Sequence, residues 1–428
     1  MPPTGAVAFS SLLIGLLVGV QPVAVDVAES ARAASVEYLL DGREVARVTD
    51  PPWRVSIDFG AELRPHEIVA VGRDARGREV GRARREVNVS QPSARLDIVL
   101  ERDRTGKPEA ARLVATSVVR DLPARESLTL DGAPLVLADH RARLPALDLA
   151  QTHFLSGEAE FAETSTARAD VAFGGGAAGV AESRLSAIPV RIDPAVSLTT
   201  AAIGRRLRHA EEALAPVLVE KGIATMVFVR NPSSLEASRI VWPSQAYPMR
   251  FDPADRLRYV WPIATVLPGG SSRTSLIESM PYFSGHDGSF VWLLTRVSRK
   301  SPSEPPYRFR DAVAVAGMEA AASGTRRVVV LIEGDEHRDA SQFSAAQVAG
   351  YLRTLGVPFR VWRLSGPGVA DWKRESVDVE DISSVAALQR AVSRLKSDLD
   401  RQRIVWVAGE RARWNVRLEE GGGFSLLD

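Results

Sequence analysis

The chain has no cysteine among its 428 residues. Disulfides, thiolate zinc centres, iron–sulfur clusters and a cysteine nucleophile are therefore excluded. Lysine is nearly absent too: Lys107, Lys221, Lys300, Lys373 and Lys396 are the only five, so the 54 basic residues are almost all arginine. Excess charge of one sign is also missing, with 54 basic against 53 acidic residues and a net charge of +1. No global field draws in nucleic acid or an anionic membrane, and the arginines are interspersed with acids along the chain. No stretch reaches the 18 or so consecutive apolar residues of a membrane span. A nucleic-acid partner and an integral membrane span are not expected.

What is present is ordinary for a globular protein, 45% hydrophobic and 25% charged. The length implies about two to four domains. The N-terminus admits two readings. Ser10 to Val20 has the length of a signal h-region, and Ala31-Arg32-Ala33 resembles a cleavage site, but no positive charge precedes the run. The preferred reading makes Leu12 to Gly19 and Val23 to Val27 two strands, broken at Gln21-Pro22.

The first 175 residues read as β. Val36, Tyr38 and Leu40 alternate with polar neighbours and lead into Asp41-Gly42, a strong hairpin signal. The same grammar recurs 90 residues later, where Leu128 to Leu130 leads into Asp131-Gly132. Two immunoglobulin-like sandwiches are expected, over residues 1–90 and 91–175. Gly174 to Gly179 then reads as a flexible joint opening a connecting segment over 176–221.

From residue 222 to 428 strands and helices alternate. Thr225 to Val229, Leu257 to Trp261, Phe290 to Val297, Val328 to Ile332, Phe359 to Leu364 and Ile404 to Val407 are short apolar runs. Helical spacing covers Phe309 to Ala322, Ser344 to Leu355 and Val385 to Leu399. This alternation implies a Rossmann-like α/β domain with a parallel sheet.

Three stretches in this part, "ATMVFVRNPSS", "YRFRDAVAVAGMEAA" and "RRVVVLIEGDEHRDAS…VAGYLRTLGVPFRVW", together resemble the von Willebrand factor A-type domain. "VEYLLDGREVARVTDPPWRVSIDFG" and "PHEIVAVGRDARGREV" look like bacterial Ig-like modules, and the order is similar to the bacterial VWFA-related domain proteins. The resemblance implies a secreted, periplasmic or extracellular protein that binds another protein.

It also implies a Mg²⁺ site at the C-terminal sheet edge, which here is incomplete. An Asp-x-Ser-x-Ser loop becomes Asn231-Pro232-Ser233-Ser234-Leu235, Tyr307 stands at the expected threonine, and Glu333 replaces an aspartate. Mg²⁺ requires near-octahedral oxygen ligation, so the site is expected to be weak or empty, and no cofactor is expected. A second register makes Ile188 to Ile192 the first strand, with Asp193 to Ser197 as its loop and Ala201 to Val219 as its helix. There too the central serine is missing, as Ala195.

Glu333, Asp335, Glu336, His337 and Asp339 cluster after the Val328 to Ile332 run. The preferred reading is a solvated loop at a strand end, with Ser344 capping the next helix. Asn231, Ser233, Ser234, His286, Glu333, Asp335 and His337 form the candidate binding rim, since ligands collect at that edge of open α/β sheets. The functional expectation is a non-catalytic adhesion or envelope-assembly protein. The alternative is a metal-assisted hydrolase using Asp335, His337 and Asp339. Gly285-His286-Asp287-Gly288-Ser289 reads as a surface turn, because catalytic triads are assembled in space and not in a row.

Overall fold

The computed structural model describes residues 6–428 except 12, 14, 91–93, 118–121, 162–165, 176–182, 205, 210, 231–248, 266–275, 280–281, 286–306, 323, 335–338, 367, 410 and 420–421. The described residues form mostly β-sheet, with three helices of eleven residues or more. Among them no helix is long and apolar enough to cross a membrane.

The first sandwich packs the sheet Val7–Phe9, Val20–Val27, Arg54–Asp58 against a four-stranded sheet. The latter runs Arg43–Val48, Ser35–Leu40, His66–Arg73, Glu79–Val87. Inward residues at alternate positions, such as Val23 and Val25 or Val36 and Tyr38, form its core. Of the expected strand Leu12 to Gly19, the described residues 13 and 15–19 form no strand. Instead one strand runs through Gln21-Pro22. Pro22 is tolerated because the neighbour on one side, Val7–Phe9, pairs only with residues 25–27.

The second sandwich sets Arg141–Arg143, Pro108–Ser117 and Ala94–Arg102 against the larger sheet Ala133–Pro134, Arg125–Leu130, Thr152–Glu160, Thr166–Gly174. That sheet does not stop there. Ser183–Ile192 joins it, followed by Gln402–Ala408 and then Pro216–Glu220. This corrects two expectations. Residues 183–220 include strands and are not a bare connector, since Ile188, Val190 and Ile192 form one buried, period-two face. Gln402–Ala408 does not complete the parallel series but runs antiparallel to Ser183–Ile192. The register beginning at Ile188 is excluded by the same pairing, and among the described residues of its expected helix, Ala201 to Val219, only 201–203 are helical.

The α/β unit has the parallel order Arg256–Thr265, Ala224–Arg230, Arg326–Glu333, Phe359–Arg363, Asp378–Asp381. Every residue of the two central strands is buried, as expected for a sheet covered on both faces. Met226, Phe228, Val328 and Val330 face the helix Val385–Asp400. Val227, Val229, Val329 and Leu331 face Phe309–Ala321 and Ala345–Leu355. Ser344 closes a capping box with Gln347, and Gly356, at φ 63°, ends that helix. The expected strand Phe290 to Val297 lies outside the described residues.

The units are joined by specific polar contacts. Tyr351 Oη donates to the Asn88 carbonyl at 2.6 Å, tying the α/β unit to the first sandwich. Gln402 accepts from Arg327 N at 2.8 Å and donates to its carbonyl at 3.0 Å, so one side chain extends the ladder between two sheets.

Candidate functional site

The central strand Arg326–Glu333 delivers Glu333 to the C-terminal edge of the parallel sheet, where the sequence places its candidate site. The residue is fully buried, at 0% exposure. Its Oε2 accepts from Arg363 Nε at 3.2 Å and Nη2 at 2.9 Å. Its Oε1 accepts from Val369 N at 3.2 Å and Trp372 Nε1 at 3.0 Å. A carboxylate offers about four lone-pair positions, and here four donors occupy them. Gly368, at φ +81°, lies directly against this pair, where any β-carbon would strike the carboxylate. Glu333 is therefore neither a solvated loop residue nor part of an exposed rim. It is a closed anion clasp that anchors the turn following Phe359–Arg363.

Asp339 is similarly engaged. Its Oδ1 accepts from Phe309 N at 3.0 Å and from Ser341 Oγ at 2.5 Å, and its Oδ2 accepts from Arg310 Nε at 2.7 Å. The helix Phe309–Ala321 has no cap from its own N-cap residue, Arg308. Asp339 supplies that function from a distant loop, and a negative charge there is favoured by the helix dipole. Asp311 returns the contact by accepting from Gln342 N and Phe343 N, both at 3.1 Å. These acids join a helix start to a loop.

Tyr307 is half-buried with its ring 5.7 Å from that of Phe309, and its carbonyl accepts from Ala340 N at 2.8 Å. Asn231, Ser233, Ser234, Leu235, His286, Asp335 and His337 lie outside the described residues. Among the described residues no group of three or more His, Asp or Glu is placed to hold a metal ion. What the pattern missed are the partners of Glu333. Arg363 and Trp372 stand 30 and 39 residues away, and no local signal links them to it.

No family model matches the chain, and no curated protein matches it. Among solved structures, the fibronectin(III)-like modules of Clostridium thermocellum CbhA are similar at 14% identity and a TM-score of 0.17, over 19% of this chain and 92% of that one. The ArnB paralog VWA2 from Sulfolobus acidocaldarius is similar at 10% identity and a TM-score of 0.27, over 66% of each chain. Proximal thread matrix protein 1 of the mussel byssus gives 14% identity and a TM-score of 0.29 over 47% of this chain, which spans 50% of that protein. At such TM-scores these likenesses carry no argument about ligand or activity.

Proposed function

We propose that the chain is a non-catalytic protein-binding or envelope-assembly protein, periplasmic or extracellular. In this reading two Ig-like sandwiches present a von Willebrand factor A-type domain whose cation site has been lost. The observation that carries the reading is the saturation of Glu333. The one acid left at the expected metal position spends its acceptor capacity on Arg363, Val369 and Trp372. A cation would have to displace the half-buried guanidinium of Arg363 and a buried indole donor to reach it, against their hydrogen bonds and charge. The hydrolase alternative draws less support, since Asp339 is committed to Phe309 N, Ser341 and Arg310. The partner-facing surface in this proposal is the sheet-edge rim without Glu333.

The test is capture from an envelope extract of the native organism on immobilised full-length chain, in EDTA and in Mg²⁺, with mass spectrometric identification. The same specific partner in both buffers is expected. Capture that disappears in EDTA and returns with Mg²⁺ would contradict the reading, as would turnover of the captured protein.

A further inference from the structure

Two hairpins carry the same reactive dipeptide. Asp41-Gly42 joins the strands that pair Leu40 with Arg43, and Asp131-Gly132 joins those that pair Leu130 with Ala133. All four turn residues have positive φ, at 50° and 79° in the first turn and 52° and 82° in the second. Two-residue hairpin loops of this kind require it, and Asp-Gly supplies it at little steric cost. The dipeptide also has a chemical weakness. A glycine has no side chain to shield its amide nitrogen, which can attack Cγ of the preceding aspartate and close a five-membered ring. A C–N bond forms, and the amide proton and the carboxyl OH leave as water, giving an aspartyl succinimide. Water then adds to either ring carbonyl and breaks its C–N bond. One opening returns aspartate, and the other leaves isoaspartate, with one extra methylene in the main chain.

Ring closure needs the glycine nitrogen and Cγ in near-attack geometry, with the carboxyl protonated so that its OH leaves as water. The structure opposes both. Asp41 N donates to the Glu67 carbonyl at 2.8 Å, while Asp41 Oδ1 accepts from Glu67 N at 2.9 Å. Asp131 repeats this with Phe154, both bonds at 2.8 Å. A histidine holds each second oxygen, His66 Nδ1 at 2.7 Å from Asp41 Oδ2 and His153 Nδ1 at 2.8 Å from Asp131 Oδ2. Sheet order gives these contacts a direction. Ser35–Leu40 lies between Arg43–Val48 and His66–Arg73, and Arg125–Leu130 lies between Ala133–Pro134 and Thr152–Glu160. Each carboxylate is therefore drawn to one side of its strand, while its glycine leads the chain to the other. Burial works against ionisation of Asp41. The His66 hydrogen bond, the Glu67 N–H and the charges of His66 and Arg64 outweigh it and hold that carboxyl below its ordinary value. Both carboxylates stay partly exposed, at 39% and 46%, so water reaches a ring once it forms.

We propose that Asp41 and Asp131 are latent isoaspartyl sites, kept unreacted by the strand partner and the histidine that hold each carboxylate, and that loss of the histidine contact opens ring closure at that turn alone. Conversion would put a methylene into the turn and remove the paired bonds to Glu67 or Phe154, so refolding would not restore the hairpin. None of this chemistry depends on what the chain binds.

The experiment incubates full-length chain in H₂¹⁸O at physiological temperature and mildly acidic pH, then maps its tryptic peptides by mass spectrometry. Each passage through the ring leaves one heavy oxygen, and electron-transfer fragmentation tells isoaspartate from aspartate. Synthetic peptides of residues 37–46 and 127–136 set the unclasped rate. Both turns of the unmodified chain should convert at least about tenfold more slowly than these peptides. His153→Leu should speed Asp131 at least about fivefold, while Asp41 in the same molecule keeps its rate. His153→Asn keeps an amide donor near the Nδ1 position and should restore much of the protection, which general loosening of the hairpin does not predict. A His153→Leu chain that unfolds would speed both turns together, and His66→Leu and His66→Asn, with Asp41 as reporter, are then judged by the same outcomes. Conversion of the unmodified chain at the peptide rate would overturn the proposal. So would an unchanged Asp131 rate in His153→Leu, or equal acceleration by the Leu and Asn variants.

Discussion

His153 Nδ1 lies 2.8 Å from Asp131 Oδ2 while its Nε2 lies 3.0 Å from the Asp148 carbonyl. Both acceptors demand a proton, so this geometry suits an imidazolium. The first sandwich repeats the pair as His66 and Asp41, at 2.7 Å, but there Nε2 is buried without a partner. In both, the aspartate leads an Asp-Gly turn at positive φ and also accepts from a backbone N–H of the adjacent strand. The hairpin turn and the histidine clasp therefore form one device used twice.

A pH dependence follows. Burial opposes protonation of His153 most strongly, but the Asp131 hydrogen bond, the Asp148 carbonyl and the charges of both acids outweigh it and raise the pKa above 6.5. A raised pKa in the folded state contributes stability that is fully present below 6.5 and lost as pH rises through the folded value. The melting temperature should fall across that window, and His153→Gln should remove this component of the slope. NMR titration of the His153 ring should give a midpoint above the ordinary value, lowered again by Asp131→Asn. A midpoint unchanged by Asp131→Asn would sink the assignment.

Removing Glu333 should act on stability. Glu333→Ala leaves a buried indole N–H and a largely buried guanidinium without their acceptor, at a cost of about 2–4 kcal/mol. Gly368→Ala should cost roughly 1–3 kcal/mol, since its φ of +81° and its contact with the same carboxylate both exclude a β-carbon. Urea unfolding monitored by Trp fluorescence reads both. Wild-type stability in either variant would mean that the clasp does not form.

Gln402 makes a third prediction. Gln402→Ala would strand the buried N–H and carbonyl of Arg327, costing about 2–3 kcal/mol. Amide hydrogen exchange should speed up at Arg327 and along Gln402–Ala408. Unchanged protection at Arg327 would show that the two sheets are not joined through this side chain.

Legibility in the sequence tracked the locality of each signal. The Asp41-Gly42 and Asp131-Gly132 turns, the Ser344 cap and the Gly356 stop are local chemistry, and the structure has each in place. The apolar runs around Val227 and Val330 reported burial on both faces, which a parallel central strand requires. Ile404 to Val407 carried the same signature and joined a different sheet, because a buried run does not name its neighbour. The candidate site failed similarly. An acid before a glycine turn looks solvated until Arg363 and Trp372 arrive from a later segment.

The acid at the expected cation position is closed, and that closure is read most directly by the melting temperature of the full chain with and without Mg²⁺. A site of about 1 μM affinity at about 1 mM Mg²⁺ would add about 4 kcal/mol to the folded state. We predict no Mg²⁺-dependent increment in the unmodified protein. In the companion variant Asn231→Asp, Leu235→Ser and Tyr307→Thr are made together, which restores oxygen ligands, and any increment should appear only there. A clear Mg²⁺-dependent rise in the unmodified protein, with the increment itself abolished by Glu333→Ala, would contradict the account and make Glu333 a working metal ligand.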